Sequence, residues 1–229
     1  MLLSPSKIQY FILPVFLLQL ILFFAGQIVY LSTINFVYTA LLTICLVSNT
    51  RLKGRFHKRV FSALIVAIAG MLYFSSVQER NTGLFFSMLF FVLPQIFYIN
   101  AFYLDFKSAP ELDKSGARLA IVLAFVISIA YYLLLRGTLG ILKIPVMTGI
   151  FTTNLMFMMA AFRNMRVNKE SFRLVVAGVI CYMFAEGIFA YDSFAHSILG
   201  LELIYSMAYM AGLHLIVLGA LSRKLVHTT

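Results

Sequence analysis

The sequence predicts an all-α membrane protein, a polytopic bundle of eight transmembrane helices with both termini cytoplasmic, forming one domain over residues 1–229. Three observations predict it. Hydrophobic residues make up 62% of the chain and charged ones only 11%, more apolar material than a water-soluble core of this length requires. The apolar residues gather into eight runs, at about 9–26, 29–48, 60–77, 83–103, 119–135, 144–162, 174–192 and 201–221. Runs of about 17–22 residues at 1.5 Å per residue match a hydrocarbon layer of roughly 30 Å. Basic residues alternate between the gaps. Lys7, Arg51, Lys53, Arg55, Lys58, Arg59, Lys107, Lys114, Arg118, Arg163, Arg166, Lys169, Arg173, Arg223 and Lys224 occupy the N-terminus, the even gaps and the tail. Only Arg80, Arg136 and Lys143 of the 18 basic residues fall in the odd gaps. Cationic side chains are retained on the cytoplasmic side, so the alternation fixes the orientation and the span count together.

Each element has its local reason. The first run follows Lys7 and ends at the small pair Ala25–Gly26, as a signal peptide would. It is nevertheless as long as a span and no polar mature region follows, so it is expected to be retained. The second run ends at the basic segment Asn49–Arg59 (NTRLKGRFHKR). The third and fourth runs are joined by a tight outer hairpin at Gln78–Thr82. Pro94 lies inside the fourth run and Pro14 inside the first, where neighbouring helices can accommodate a kink. Asp105–Arg118 (DFKSAPELDKSGAR) is the longest polar stretch and is expected to be a mobile loop, with Pro110 and Gly116 as breakers. The sixth run opens at Pro145 and closes at the inside segment Arg163–Arg173. The seventh and eighth are joined by a second outer hairpin, Ser193–Gly200. There is no Trp, so Tyr and Phe serve as interface anchors.

Composition also excludes function classes. The gaps are too short for an extramembrane domain, so any function sits among the helices. The net charge of +10 follows from topology and from attraction to anionic phospholipid headgroups at the cytoplasmic face, and no nucleic acid is expected. Cys45 and Cys181 both lie within spans without metal-ligand spacing and read as packing residues. No phosphate-cradling glycine loop, zinc-ligand helix or Ser/His nucleophile arrangement occurs, so neither a metal nor a cofactor is expected.

With lipid as solvent, polar residues at depth carry the information, because each costs free energy unless paired or used. Glu186 stands out. It lies six residues, about 9 Å by helical rise, from the outer end of its run. Desolvation disfavours its anion, so it can hold a proton near neutral pH and act as a general acid. It can equally be a protonated group that hydrogen-bonds a neighbouring helix. In the last run, Glu202, Tyr205, Tyr209 and Gly212 recur at three- and four-residue spacing and form one stripe. The short hairpin makes the last two spans antiparallel neighbours, with Tyr209 near the depth of Glu186 and Gly212 permitting close approach. That stripe can line a pocket or pack at the interface. Gln95 and Tyr98 share a face in the fourth run, and Asn154 and His214 are single polar residues. For these, substrate binding and structural hydrogen bonding both remain open. Met156, Met158 and Met159 are apolar filler.

Three stretches carry a family resemblance. They are Ala63–Gly70 (ALIVAIAG); Gln95-Ile96-Phe97-Tyr98 followed by Phe102; and Gly178 through Glu186 to Ala190, with Tyr209 and Leu215–Gly219 (LIVLG). Together with eight spans, both ends inside and an acid in the outer half of span seven, they resemble the YhhN/lysoplasmalogenase family. The resemblance implies a membrane hydrolase that cleaves the vinyl ether bond of lysoplasmalogen lipids. One acid would protonate the enol-ether carbon and a second carboxylate would stabilise the oxocarbenium ion and orient water, as paired carboxylates do in glycosidases. It implies Glu186 as the catalytic acid and Gln95, Tyr98, Tyr205 and Tyr209 as substrate-binding residues. Three positions depart from the family pattern. Met71 stands where the first acid is expected, Gln95 where a His is expected, and Glu186 where the second Asp is expected. Either Asp192 or Glu202 supplies the second carboxylate, or catalysis has been lost. The alternative function is a non-enzymatic protein that binds or moves a lipid or small molecule through a protonatable Glu186. In a bacterial host the chain would reside in the plasma (inner) membrane.

Orientation is directly testable. Cysteine-accessibility labelling at Lys53, Lys114 and Lys169 should place all three inside, and external labelling at any of them refutes the topology.

Overall fold

The computed structural model describes residues 8, 10–76, 80–108, 113–137, 139–195 and 198–226. Eight helices follow one another: α1 (Ile12–Phe24), α2 (Tyr30–Thr50), α3 (Arg55–Ser76), α4 (Arg80–Lys107), α5 (Lys114–Leu135), α6 (Lys143–Ala161), α7 (Lys169–Phe194) and α8 (Leu201–Leu221). A 3-10 turn, Gly140–Leu142, precedes α6. Seven of these are long and apolar enough to cross a membrane, and the chain is an integral multi-pass membrane protein. The exception is α1, with 13 described residues, about 20 Å of helix at 1.5 Å per residue.

Differences from the sequence reading lie at helix ends. Asp105–Arg118 was expected to be loop throughout, yet α4 continues through Lys107 and α5 begins at Lys114. Asp113 caps α5 by accepting from the Gly116 N–H at 3.0 Å. That bond, and a second from the Asn164 amide, hold its carboxyl below the usual range. Pro110 lies outside the described residues, as do Lys7, Gln78 and part of each outer hairpin. Asp113 shows why the loop reading was too long: polar residues that look like loop also serve as the first turn of a helix.

The basic gaps converge on one end of the bundle, as the charge alternation requires. Asp105, at the end of α4, is fully buried and accepts from Arg163 Nε at 2.8 Å and from Arg223 Nε at 2.8 Å. The Arg163 guanidinium also donates to Ser171 Oγ and lies 5.2 Å from the Phe102 ring centroid. Arg223 lies 4.4 Å from the Phe56 ring centroid. Nearby, Arg59 donates to the Asn100 carbonyl, and the tail pairs with the α6–α7 connection through Asn168 N–H to Lys224 O and Val226 N–H to Arg166 O. One carboxylate thereby ties α4, the α6–α7 connection and the C-terminal tail together.

Helix contacts are closest where glycines meet. A Cβ at Gly212 would stand 2.9 Å from both the Gly178 carbonyl and the Tyr182 nitrogen, and one at Gly219 would stand 3.1 Å from the Ser171 carbonyl. These positions bring α7 and α8 into backbone contact over their inner halves, the small-residue packing that lipid solvent favours. Gly70 makes room for a side chain between α3 and α4, where its Cβ would meet Phe90 Cβ at 2.7 Å. Leu119, Val122, Phe125, Val126 and Leu133 of α5 are exposed and face the lipid. Gln19, Asn35, Gln95, Thr152, Thr153 and Ser206 are buried within the bundle.

Candidate functional site

Glu186 is one of the few carboxyls carried within the bundle, and two other helices satisfy it. Gln95 follows the internal Pro94 of α4 and donates from Nε2 to Glu186 Oε1. Thr153 of α6 donates from Oγ1 to Glu186 Oε2 at 2.5 Å. The same Gln95 nitrogen reaches Thr153 Oγ1 at 2.8 Å, while Thr152 Oγ1 donates to Gln95 Oε1. Both threonine hydroxyls also reach carbonyls of their own helix, Thr152 to Thr148 O at 3.0 Å and Thr153 to Gly149 O at 2.8 Å.

This network accepts Glu186 in either protonation state. With an ionised carboxylate, Thr153 O–H points at Oε2. With a neutral carboxyl, the carboxyl O–H donates to Thr153 Oγ1, and the threonine proton turns to the Gly149 carbonyl. A hydroxyl supplies one donor and two acceptor sites and rotates to suit, so neither state leaves a group unpaired.

Tyrosines stand on the other side of the carboxyl. Tyr182 precedes Glu186 by one helical turn, and its ring lies 5.3 Å from that of Tyr209 on α8 and 6.5 Å from that of Tyr98 on α4. The Tyr182 hydroxyl approaches Glu186 and Tyr209 but meets hydrogen-bond geometry with neither. The Tyr98 hydroxyl is likewise buried without a partner among the described residues.

Two cavities meet at Glu186. One, of about 630 Å³ including space open to the outside, lies among α4–α7 and is walled by Tyr131, Val146, Gly149, Asn154, Met183 and Phe194, among others. Gly187 allows it to form beside Tyr131, whose hydroxyl sits 1.7 Å from where a Cβ would be. The second, of about 860 Å³ on the same measure, lies among α2, α3, α4, α7 and α8, with Asn35, Met71, Tyr205, Ser206 and Tyr209 in its wall. Phe91, Glu186 and Phe189 line both cavities. The two phenylalanine rings are 5.0 Å apart and form the partition beside the carboxyl.

The residues singled out from the sequence divide accordingly. Glu186, Gln95, Tyr98 and Tyr209 come together, and Tyr205 lines the second cavity with its ring 5.6 Å from Phe189. Met71 lines the same cavity as Glu186, which is where the family resemblance puts the first acid. Asp192 and Glu202 line neither cavity. Asp192 accepts from the Ile198 N–H at 3.1 Å in the outer hairpin, and exposed Glu202 begins α8. His214 is structural, bonded through Nδ1 to the Tyr38 hydroxyl at 2.6 Å. Asn154 donates to the Ile150 carbonyl of its own helix while lining the first cavity. Sequence reasoning missed Thr152, Thr153, Tyr182, Asn35 and Ser206. For Tyr182 the signal was present, four residues before Glu186 on the same helix face.

The YhhN family model matches residues 33–220, most of the chain, including every residue of the Glu186 network. Comparison with curated proteins and with solved structures gave no match.

The Thr153 hydroxyl is the simplest test of this geometry. Thr153→Val keeps the volume but leaves Glu186 Oε2 and a Gln95 N–H without their partner, which should cost about 1–3 kcal/mol. In a chain of this size that lowers the thermal midpoint by roughly 2–4 °C per kcal/mol. Thr153→Ser should restore most of it. An unchanged midpoint for the valine variant would show that Thr153 does not hold the carboxyl.

Proposed function

Since the chain belongs to the YhhN family, we propose that it is a lysoplasmalogenase-like hydrolase that opens the vinyl ether bond of single-chain ether lipids at Glu186. The observation that carries this reading is the position of Glu186. It is a carboxyl whose hydrogen-bond partners can satisfy it in either protonation state, set in the wall shared by two largely apolar cavities.

The chemistry balances with one carboxyl. Neutral Glu186 gives its proton to the enol-ether carbon remote from oxygen, leaving a carboxylate and an oxocarbenium ion. Water adds to the cationic carbon and returns a proton to Glu186, forming a hemiacetal. The hemiacetal's C–O bond to glycerol then breaks, releasing a fatty aldehyde and a glycerol hydroxyl. Gln95 and Thr153 act as positioning residues, because they hold the carboxyl through both proton transfers. The developing cation is stabilised by the carboxylate left behind. The apolar cavity walls suit the alkenyl chain.

One observation favours a second reading. Met71 cannot ionise, and it lines the cavity in which Glu186 stands. A protein that binds or moves a lipid needs a protonatable Glu186 but no second acid. Aldehyde release from lysoplasmalogen by the purified protein separates the two readings. Saturable lipid binding without turnover selects the second.

If turnover is found, Glu186→Gln should reduce it by at least about 10²-fold, the lower end of what a general acid contributes, with folding near wild type. The amide keeps the contacts to Gln95 and Thr153 but has no proton to give. Turnover indifferent to that change would place the chemistry elsewhere.

Met71→Asp tests the same site from the opposite wall. It supplies the missing carboxyl and should raise hydrolysis, while two close carboxyls resist ionising together. A variant that is folded and no faster than wild type would show that one carboxyl suffices or that the wall has changed shape.

A further inference from the structure

The second cavity contains a polar cluster that the Glu186 chemistry does not use. Gln19 of α1 is fully buried and donates from Nε2 to Asn35 Oδ1 and to Ser206 Oγ, both at 2.9 Å. Ser206 Oγ in turn donates to Asn35 Oδ1 at 3.0 Å. Three helices therefore converge on one carbonyl oxygen, and all three side chains are neutral. Gln19 stands behind the other two, while Asn35 and Ser206 reach the cavity wall.

Asn35 and Ser206 both line the cavity, and each has an unused valence. Asn35 is only 8% exposed, and its Nδ2 has no partner among the described residues. Ser206 Oγ has committed its proton to Asn35 and one lone pair to Gln19, so one lone pair remains. An amide donor beside a hydroxyl acceptor matches one small group, an O–H that accepts from the first and donates to the second. Glu186 is the one charged side chain among the residues lining this cavity, so nothing in it would pair with a phosphate.

We propose that Asn35 and Ser206, held in place by Gln19, form a hydroxyl-binding subsite for the free glycerol hydroxyl of a single-chain ether lipid. The identification of the ligand rests on the lipid reading of Glu186, whose cavity the subsite shares. That hydroxyl sits on the carbon next to the one bearing the ether oxygen, so a lipid bound by it presents its ether bond within the same cavity. An acylated hydroxyl has no proton for Ser206 and brings a second chain with it. The subsite therefore selects lipids with one chain over lipids with two.

The test is a binding measurement with lipids that cannot be hydrolysed. The purified protein is titrated with the saturated ether 1-O-hexadecyl-glycerophosphocholine and with its 2-deoxy analogue. Wild type should prefer the hydroxyl-bearing lipid by about 10- to 100-fold, since a site built for a hydroxyl leaves its own groups unpaired when the hydroxyl is missing. Asn35→Leu should abolish the preference, and Ser206→Ala should reduce it; the second variant decides if the first does not fold. Equal affinity of wild type for the two lipids, or a preference intact in the folded variants, overturns the proposal and leaves the cluster a holder of water. A preference found without aldehyde release supports the subsite and removes the hydrolase reading. Aldehyde release found without a preference does the reverse.

Discussion

A carboxyl set among helices in a hydrocarbon medium has to be satisfied from within the bundle, because lipid offers neither donor nor acceptor. Glu186 meets this requirement with one partner on each of two other helices, Gln95 on α4 and Thr153 on α6. Those partners are themselves bonded to each other and to Thr152. Removing any one strands several groups, so the relative rotation of α4, α6 and α7 is fixed by the carboxyl they share. The cavities on either side follow from that arrangement. Phe91 and Phe189 lie within one helical turn of Gln95 and Glu186 and are carried into the partition with them.

The two ends of the bundle are built differently. Toward the inner end, Gly178, Gly212 and Gly219 let α7 and α8 touch backbone to backbone. There Asp105 draws two arginines from distant parts of the chain onto one buried carboxylate. Further out, Tyr182 and Tyr209 pack ring against ring between the same two helices, and the second cavity opens beside Tyr209. Cavities lose dispersion contacts along their lining, so a hollow outer half depends on close packing elsewhere. A buried charge cluster that cannot give up one member without exposing another suits that holding role.

Legibility in the sequence followed the same division. The helices could be read because the membrane imposes length and charge rules that act on every residue. Their ends were less legible: Lys107 and Lys114 look like loop but lie in helices. Glu186 was visible because an acid in an apolar run has no cheap explanation. Thr152 and Thr153 were not, since a threonine in a membrane helix can satisfy itself on the carbonyl one turn back, as both do here. Only the packing shows that their hydroxyls also serve a neighbouring helix. Gln19, Asn35 and Ser206 are harder still, being isolated polar residues on three helices whose meeting depends on the tertiary arrangement. Met71 became informative through the family resemblance alone, as methionine otherwise reads as filler.

The replacement of an acid by Met71 bears on what Glu186 can do. Two carboxyls facing each other in an apolar cavity would divide their roles, since one must stay protonated if the other is ionised. With a single carboxyl no such division is available, and on the hydrolase reading the same group has to be acid in the first step and base in the second. That demands partners equally content with both states. An arginine or lysine in place of Gln95 would hold Glu186 ionised and prevent the first step, and an acceptor without a proton in place of Thr153 would hold it neutral and prevent the second. The amide and hydroxyl found there do neither. The partners around Glu186 are thus the kind that let one carboxyl take both roles, and they would serve equally well for a group that gains and loses a proton as a lipid comes and goes.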